Sequence, residues 1–128
     1  MARPARPLPV FLNLFRIRFP VGAIASIAHR VAGVLLFLAL PPLALGLDAS
    51  LRSEAGFEAM RELLAGPWRG LLGLVLVWAA AHHLLAGIRH LLMDVGVGSG
   101  LAQARASARA VLVAAVLVAL VFVAGWLA

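Results

Sequence analysis

Three long runs of apolar residues, each bordered by arginine, set the pattern of this chain. They cover about residues 21–47, 68–93 and 108–127. An α-helix rises about 1.5 Å per residue, so about 20 apolar residues cross a hydrocarbon core of about 30 Å. Each run is long enough, which predicts three transmembrane helices. Residues 1–128 then form one membrane-anchor domain with no room for a soluble one. Pro41 and Pro42 fall inside the first run. Proline lacks the N–H donor of a helix interior, so a bend or an early end of that helix is expected there. Between the first two runs, Gly46–Pro67 reads as a loop holding a short amphipathic helix, Glu54–Leu64, with Phe57, Met60, Leu63 and Leu64 on one face. The glycine-rich stretch Gly96–Gly100 predicts a compact turn before the third span.

Composition agrees with lipid as the solvent. Hydrophobic residues make up 64% of the chain and mean hydropathy is +1.06. Charged residues make up 12%, against about 25% in an average soluble domain. There is no cysteine, which excludes disulfides, thiolate metal sites and covalently attached c-type haem. The net charge of +6 is carried by arginine, and these arginines flank apolar runs, which argues for topology rather than nucleic acid. Arg3, Arg6, Arg16, Arg18, Arg30, Arg89, Arg105 and Arg109 share one side with Asp94. Arg52, Arg61 and Arg69 share the other with Asp48, Glu54, Glu58 and Glu62. The positive-inside rule predicts a cytoplasmic N-terminus and second loop, with the first loop and the C-terminus outside. The N-terminal segment is basic and proline-rich without a small-residue cleavage site, so the first span is expected to stay in the mature protein.

Polar residues at the edge of a span are costly and mark function. Ser26, His29 and Arg30 open the first helix, with Ser26 three and four residues from the other two and on their face. A hydroxyl and a guanidinium beside an imidazole suit a small acceptor such as a quinone carbonyl. The plainer reading is an arginine that snorkels to the interface. The second group is His82, His83, Arg89 and His90. His83 and His90 lie two turns apart on one face, about 10 Å along the axis, with Gly87 between them leaving room for a flat ligand. A neutral imidazole in an apolar helix is a common axial ligand of haem iron, and Arg89 and His90 are placed for its propionates. The plainer reading is histidine that hydrogen-bonds helices together, and spacing alone does not choose between His82 and His83. Met60 and Met93 are poorly placed as second ligands, so a six-coordinate haem requires a partner chain. Asp94 is expected to take either a salt bridge with Arg89 or Arg30 or a part in proton delivery. Nucleotide-binding, zinc-protease and serine-hydrolase motifs are absent from the sequence, and no acidic residue lies deep in a span, which disfavours a transporter.

The run Ser26-Ile27-Ala28-His29-Arg30-Val31-Ala32-Gly33, followed by His83-Leu84-Leu85-Ala86-Gly87-Ile88-Arg89-His90 and then Asp94, resembles the two signatures of the cytochrome b anchor subunits of bacterial succinate dehydrogenase. The three-helix plan, the length and Arg6-Pro7 agree with it. The resemblance implies an all-α anchor whose three transmembrane helices form half of a heterodimeric bundle in the bacterial cytoplasmic (inner) membrane. Its partners would be a second small anchor subunit, an iron–sulfur subunit and a flavoprotein subunit. By matching position, Ser26, Ile27 and Arg30 would bind ubiquinone, and His83 would be the axial ligand of haem b, its opposite ligand coming from the partner anchor. Arg30, His29 and His90 would lie by the propionates. The chain has no tyrosine, so a tyrosine donor to the quinone would come from that partner. Pro41-Pro42 is a departure that the family pattern does not require. A haem-free structural anchor of a fumarate reductase-type complex is the competing expectation.

Overall fold

The structure is a computed structural model that describes residues 17–128. The basic N-terminal segment, with Arg3, Arg6-Pro7 and Arg16, lies outside the described residues. Four helices follow in order: α1 (Val21–Arg52), α2 (Glu54–Ala65), α3 (Arg69–Asp94) and α4 (Leu101–Leu127). No strand occurs among the described residues. α1, α3 and α4 are long and apolar enough to cross a membrane, and α2 is the short amphipathic helix expected between the first two spans.

Two boundaries differ from the sequence expectation. α1 neither ends nor breaks at Pro41 and Pro42 but continues as helix to Arg52. Each proline removes only its own N–H, and such losses are tolerated in membrane helices where neighbouring groups re-satisfy the backbone. The 32 residues of α1 extend about 48 Å, well beyond a hydrocarbon core of about 30 Å. Its last turns carry Asp48, Ser50 and Arg52, with Arg52 paired to Asp48 at 2.7 Å on the exposed surface, which suits the headgroup layer. α4 starts at Leu101, not near residue 108. Its first three turns hold Arg105 and Arg109, which mask the helix in a pattern of apolar runs.

The turns follow local chemistry. Ser53 caps α2, its Oγ accepting from the Gly56 N–H at 3.0 Å. α3 ends in a paired cap: the Val97 N–H donates to the Leu92 carbonyl at 2.8 Å and the Gly96 N–H to the Met93 carbonyl at 3.0 Å. Gly96 has φ +86°, the left-handed residue that this cap requires.

α3 packs against both α1 and α4, and α1 also meets α4. α2 lies against α1. The buried positions are mostly small: Ala25 and Ala32 on α1, Ala79 and Ala86 on α3, and Ala108, Val111, Ala115 and Ala119 on α4. Lipid tails compete with side chains for apolar contact, so helices in a bilayer gain most by bringing backbones close over small residues. At the far end of the α3–α4 seam, aromatic rings of α4 fill notches in α3. Phe122 lies over Gly73, where an added Cβ would stand 2.6 Å from its Cζ, and Trp126 lies over Gly70 in the same way.

Replacing Gly73 by leucine is therefore expected to wedge α3 from α4 and lower the melting temperature of the purified protein. Phe122→Ala in the same chain should restore part of the loss, because it vacates the space that the new side chain needs. Equal melting temperatures for Gly73→Leu and the parent would contradict the packing.

Candidate functional site

The polar residues of the spans gather at the end of the bundle where α1 begins and α3 ends. His82 and His83 are consecutive, about 100° apart around α3, and straddle the line of contact with α1. His82 is fully buried, with 0% exposure. Its Nε2–H donates to the Ala25 carbonyl at 3.3 Å, and its ring stacks on Trp78 with centroids 5.6 Å apart. His83 donates from Nδ1 to the carbonyl of His29 at 3.2 Å. Each carbonyl has a second lone pair beyond the one its own helix uses. The two acceptors lie one turn apart on α1, so the adjacent histidines pin two successive turns.

A carbonyl only accepts, so each of these bonds fixes a tautomer. In His83 the proton sits on Nδ1 and the Nε2 lone pair is left available. The half-buried His83 ring leans on Gly33, where an added Cβ would lie 3.0 Å from Cε1 and 3.2 Å from Nδ1. In His82 the assignment is reversed, and its Nδ1 is buried without a partner. The full burial of His82 leaves it no approach for an external ligand.

His29 is layered with two histidines of α3. Its ring centroid is 4.3 Å from that of His83, with the planes 23° apart, and 5.1 Å from that of His90. The His29 Nε2 is buried with no hydrogen-bond partner and lies 3.7 Å from where a Cβ on Gly87 would stand. That distance is ordinary van der Waals contact, so Gly87 borders the imidazole without being filled by it. His90 donates from Nδ1 to the Ala86 carbonyl of its own helix at 2.8 Å. His29, His83, Gly87 and His90 thus share one edge of the bundle. Ser26 is half-buried on α1, and Ile27 and Arg30 are exposed beside it. Among the described residues neither Ser26 nor Arg30 makes a side-chain hydrogen bond or ion pair. No group of three acidic or histidine side chains is arranged to hold a metal ion by itself among the described residues.

Arg89 departs from the sequence expectation. It does not join His90 but is buried toward α4, donating from Nε to Ser107 Oγ at 2.9 Å and from Nη2 to the Ala104 carbonyl at 3.0 Å. Residue 89 is seven from His82 and so lies on the His82 face of α3, whereas His90 lies on the His83 face. The same pattern of sevens in the sequence carries this division. Arg89 thus makes no salt bridge with Asp94, and Arg30 makes none either; Asp94 is exposed at the end of α3 without an ion pair among the described residues.

Three helices long and apolar enough to cross a membrane, with histidines layered along one edge, make this an integral membrane protein of the helical class. The chain matches the model of the succinate dehydrogenase/fumarate reductase transmembrane subunits over residues 3–123. It is 37% identical over 120 residues to the succinate dehydrogenase cytochrome b556 subunit of Coxiella burnetii, covering 93% of this chain and 95% of that protein. It is 35% identical over 118 residues to the cytochrome b556 subunit of Paracoccus denitrificans, covering 91% of this chain and 88% of that protein. A mitochondrial relative, the cytochrome b560 subunit of Mus musculus, is 34% identical over 116 residues, or 88% of this chain and 66% of that one. The chain belongs to the succinate dehydrogenase/fumarate reductase transmembrane-subunit family, as its two motifs led us to expect.

The buried guanidinium makes a prediction of its own. Ser107→Ala leaves Arg89 Nε unpartnered among apolar neighbours, which costs about 1–3 kcal/mol. A fall in melting temperature of the purified protein checks it. Ser107→Thr, which keeps the hydroxyl, should recover most of the loss.

Proposed function

We propose that this chain is the haem b- and ubiquinone-binding anchor of a succinate dehydrogenase, serving the transfer of electrons from an iron–sulfur subunit to ubiquinone. Family membership supports the complex, and the relatives are cytochrome b556 subunits of that enzyme. The observation that carries the haem reading is His83: its Nδ1 is committed to the His29 carbonyl, so its Nε2 lone pair is oriented for iron. Orientation of a ligating imidazole by a carbonyl at its other nitrogen is the usual outer-shell device of metal sites.

The residues present fit the group. His29 Nε2 is an orphaned polar atom beside Gly87, and Gly33 keeps a Cβ away from the His83 imidazole. His83 would hold the iron, while His29, His90 and Arg30 would hold the propionates. When bound, haem supplies a one-electron relay within the membrane. His82, buried and already spent on the Ala25 carbonyl, is the hydrogen-bonding histidine of the pair. Ser26 Oγ and the Arg30 guanidinium donate to a quinone carbonyl and stabilise negative charge that develops on its oxygen, while exposed Ile27 packs on the ring. Asp94, without an ion pair among the described residues, holds a proton for the reduced oxygen. A partner anchor would supply a further ligand to the iron, and iron–sulfur and flavoprotein subunits dock on the arginine-rich side. The arginine asymmetry supports placing that side, and the N-terminus, in the bacterial cytoplasm, with the chain in the inner membrane.

Two measurements test this reading. His83→Ala is expected to remove most of the b-type absorption of the purified complex, and His82→Ala to keep it. Unchanged haem content in His83→Ala would overturn the ligand assignment, and a wild-type complex without the spectrum would establish the haem-free anchor instead. Ser26→Ala or Arg30→Ala removes one donor, worth about 1.5–3 kcal/mol where charge is involved, so quinone reduction should fall about 10- to 100-fold. Succinate oxidation with an artificial acceptor should persist; loss of both activities would mark an assembly defect.

A further inference from the structure

At the opposite end of the bundle, two cavities share a wall. One, of about 370 Å³, lies between α1, α2 and α3 and is lined by apolar side chains, among them Leu38, Pro42, Leu63, Trp68 and Leu76. The other, of about 590 Å³, is lined by Arg61, Arg69 and Ser50. Met60 and Leu64 line both, so basic groups sit directly above an apolar groove. Arg69 makes no ion pair among the described residues, and Arg61 meets Glu58 at 3.1 Å on the exposed surface, a contact of little energy. From Arg69 down to Leu76 is two turns of α3, about 10 Å. The groove therefore runs from headgroup level into hydrocarbon.

We propose that this groove is a binding site for one glycerophospholipid of the leaflet on the α2 side. Its phosphate sits between Arg69 and Arg61, and one acyl chain lies in the groove below Met60 and Leu64. Charge selects this occupant. An apolar partner helix laid over the groove would strip water from Arg69 without supplying a counter-charge, which is costly. A phosphate supplies that charge, and the bilayer presents phosphates at this level. Trp68, with an amphipathic ring suited to the interface, lines the apolar part.

The test is native mass spectrometry of the protein purified in mild detergent with its co-purifying subunits, followed through stepwise delipidation. The wild type should retain one phospholipid more than Arg61→Gln/Arg69→Gln and more than Ala39→Phe, which fills the groove. Rebinding of added phosphatidylglycerol should weaken at least tenfold in both, and diacylglycerol with the same chains or inorganic phosphate should not replace it. A photo-crosslinking residue at position 63 of the otherwise unaltered chain should give a product of phospholipid mass. Equal retention in the wild type and both variants would overturn the proposal. So would capture of a polypeptide at position 63, which also decides the matter if Ala39→Phe fails to fold. Haem content and succinate oxidation are read alongside, since the lipid site is independent of the histidine edge.

Discussion

The imidazole of His82, donated into the Ala25 carbonyl inside the α1–α3 seam, is the contact around which the other helices and side chains are arranged. Hydrocarbon offers no hydrogen bonds, so a polar side chain within a span must find its partner in protein. Ala25, Ala32, Ala79 and Ala86 are all essentially unexposed, and their small side chains let the two backbones approach closely enough for an imidazole to reach the opposite carbonyl. His83 repeats the contact one turn further along α1. Two bonds to carbonyls one turn apart set the register as well as the distance between helices. Sliding α1 by one residue would lose both.

That register decides what each histidine is able to do. His82 points into the seam and has no access to anything beyond it. His83, 100° around α3, lies at the edge of the seam, where its Nδ1 is held and its Nε2 faces outward. His29 is layered over His83 because the carbonyl that accepts from His83 belongs to His29 itself. A single close contact between helices thus generates one inert and one available imidazole from neighbouring residues. A structural histidine and a ligand candidate differ here by one step in the chain, not by chemistry.

The periodicity of sevens that makes His83, Gly87 and His90 one face was legible in the sequence, and so were the three spans and the amphipathic α2. The boundaries were less so, for physical reasons. Pro41 and Pro42 were expected to bend the first helix or end it early because a helix interior in water tolerates proline poorly, whereas α1 passes through them as helix. The start of α4 was hidden because Arg105, Ser107 and Arg109 make its first turns polar. Arg89 was assigned to the propionates by proximity in sequence, yet residue 89 is on the His82 face. Its long side chain takes neutral acceptors on α4, and only the packing order of the helices reveals that α4 stands there. The expectation that His83 rather than His82 is the ligand rested on a motif; burial and hydrogen bonding distinguish the two imidazoles.

The burial of α3 also explains why its polar side chains are unequally disposed. Toward α4 the helix is closed by alanines, by rings seated over Gly70 and Gly73, and by the Arg89 clamp. Toward α1 it is closed by the His82 bond. The remaining edge carries His83, Gly87 and His90, and three spans do not suffice to enclose it. Leu84, Ile88 and Leu91 are exposed along the same helix, which lipid accepts, but half-buried imidazoles are a poor face to offer lipid. A haem and a further helix would relieve that mismatch in two ways. The iron would use the Nε2 lone pair of His83, and the propionates would give the orphaned His29 nitrogen an acceptor. The polar edge left open by a three-helix fold is therefore the strongest physical argument that the fold is completed by another chain.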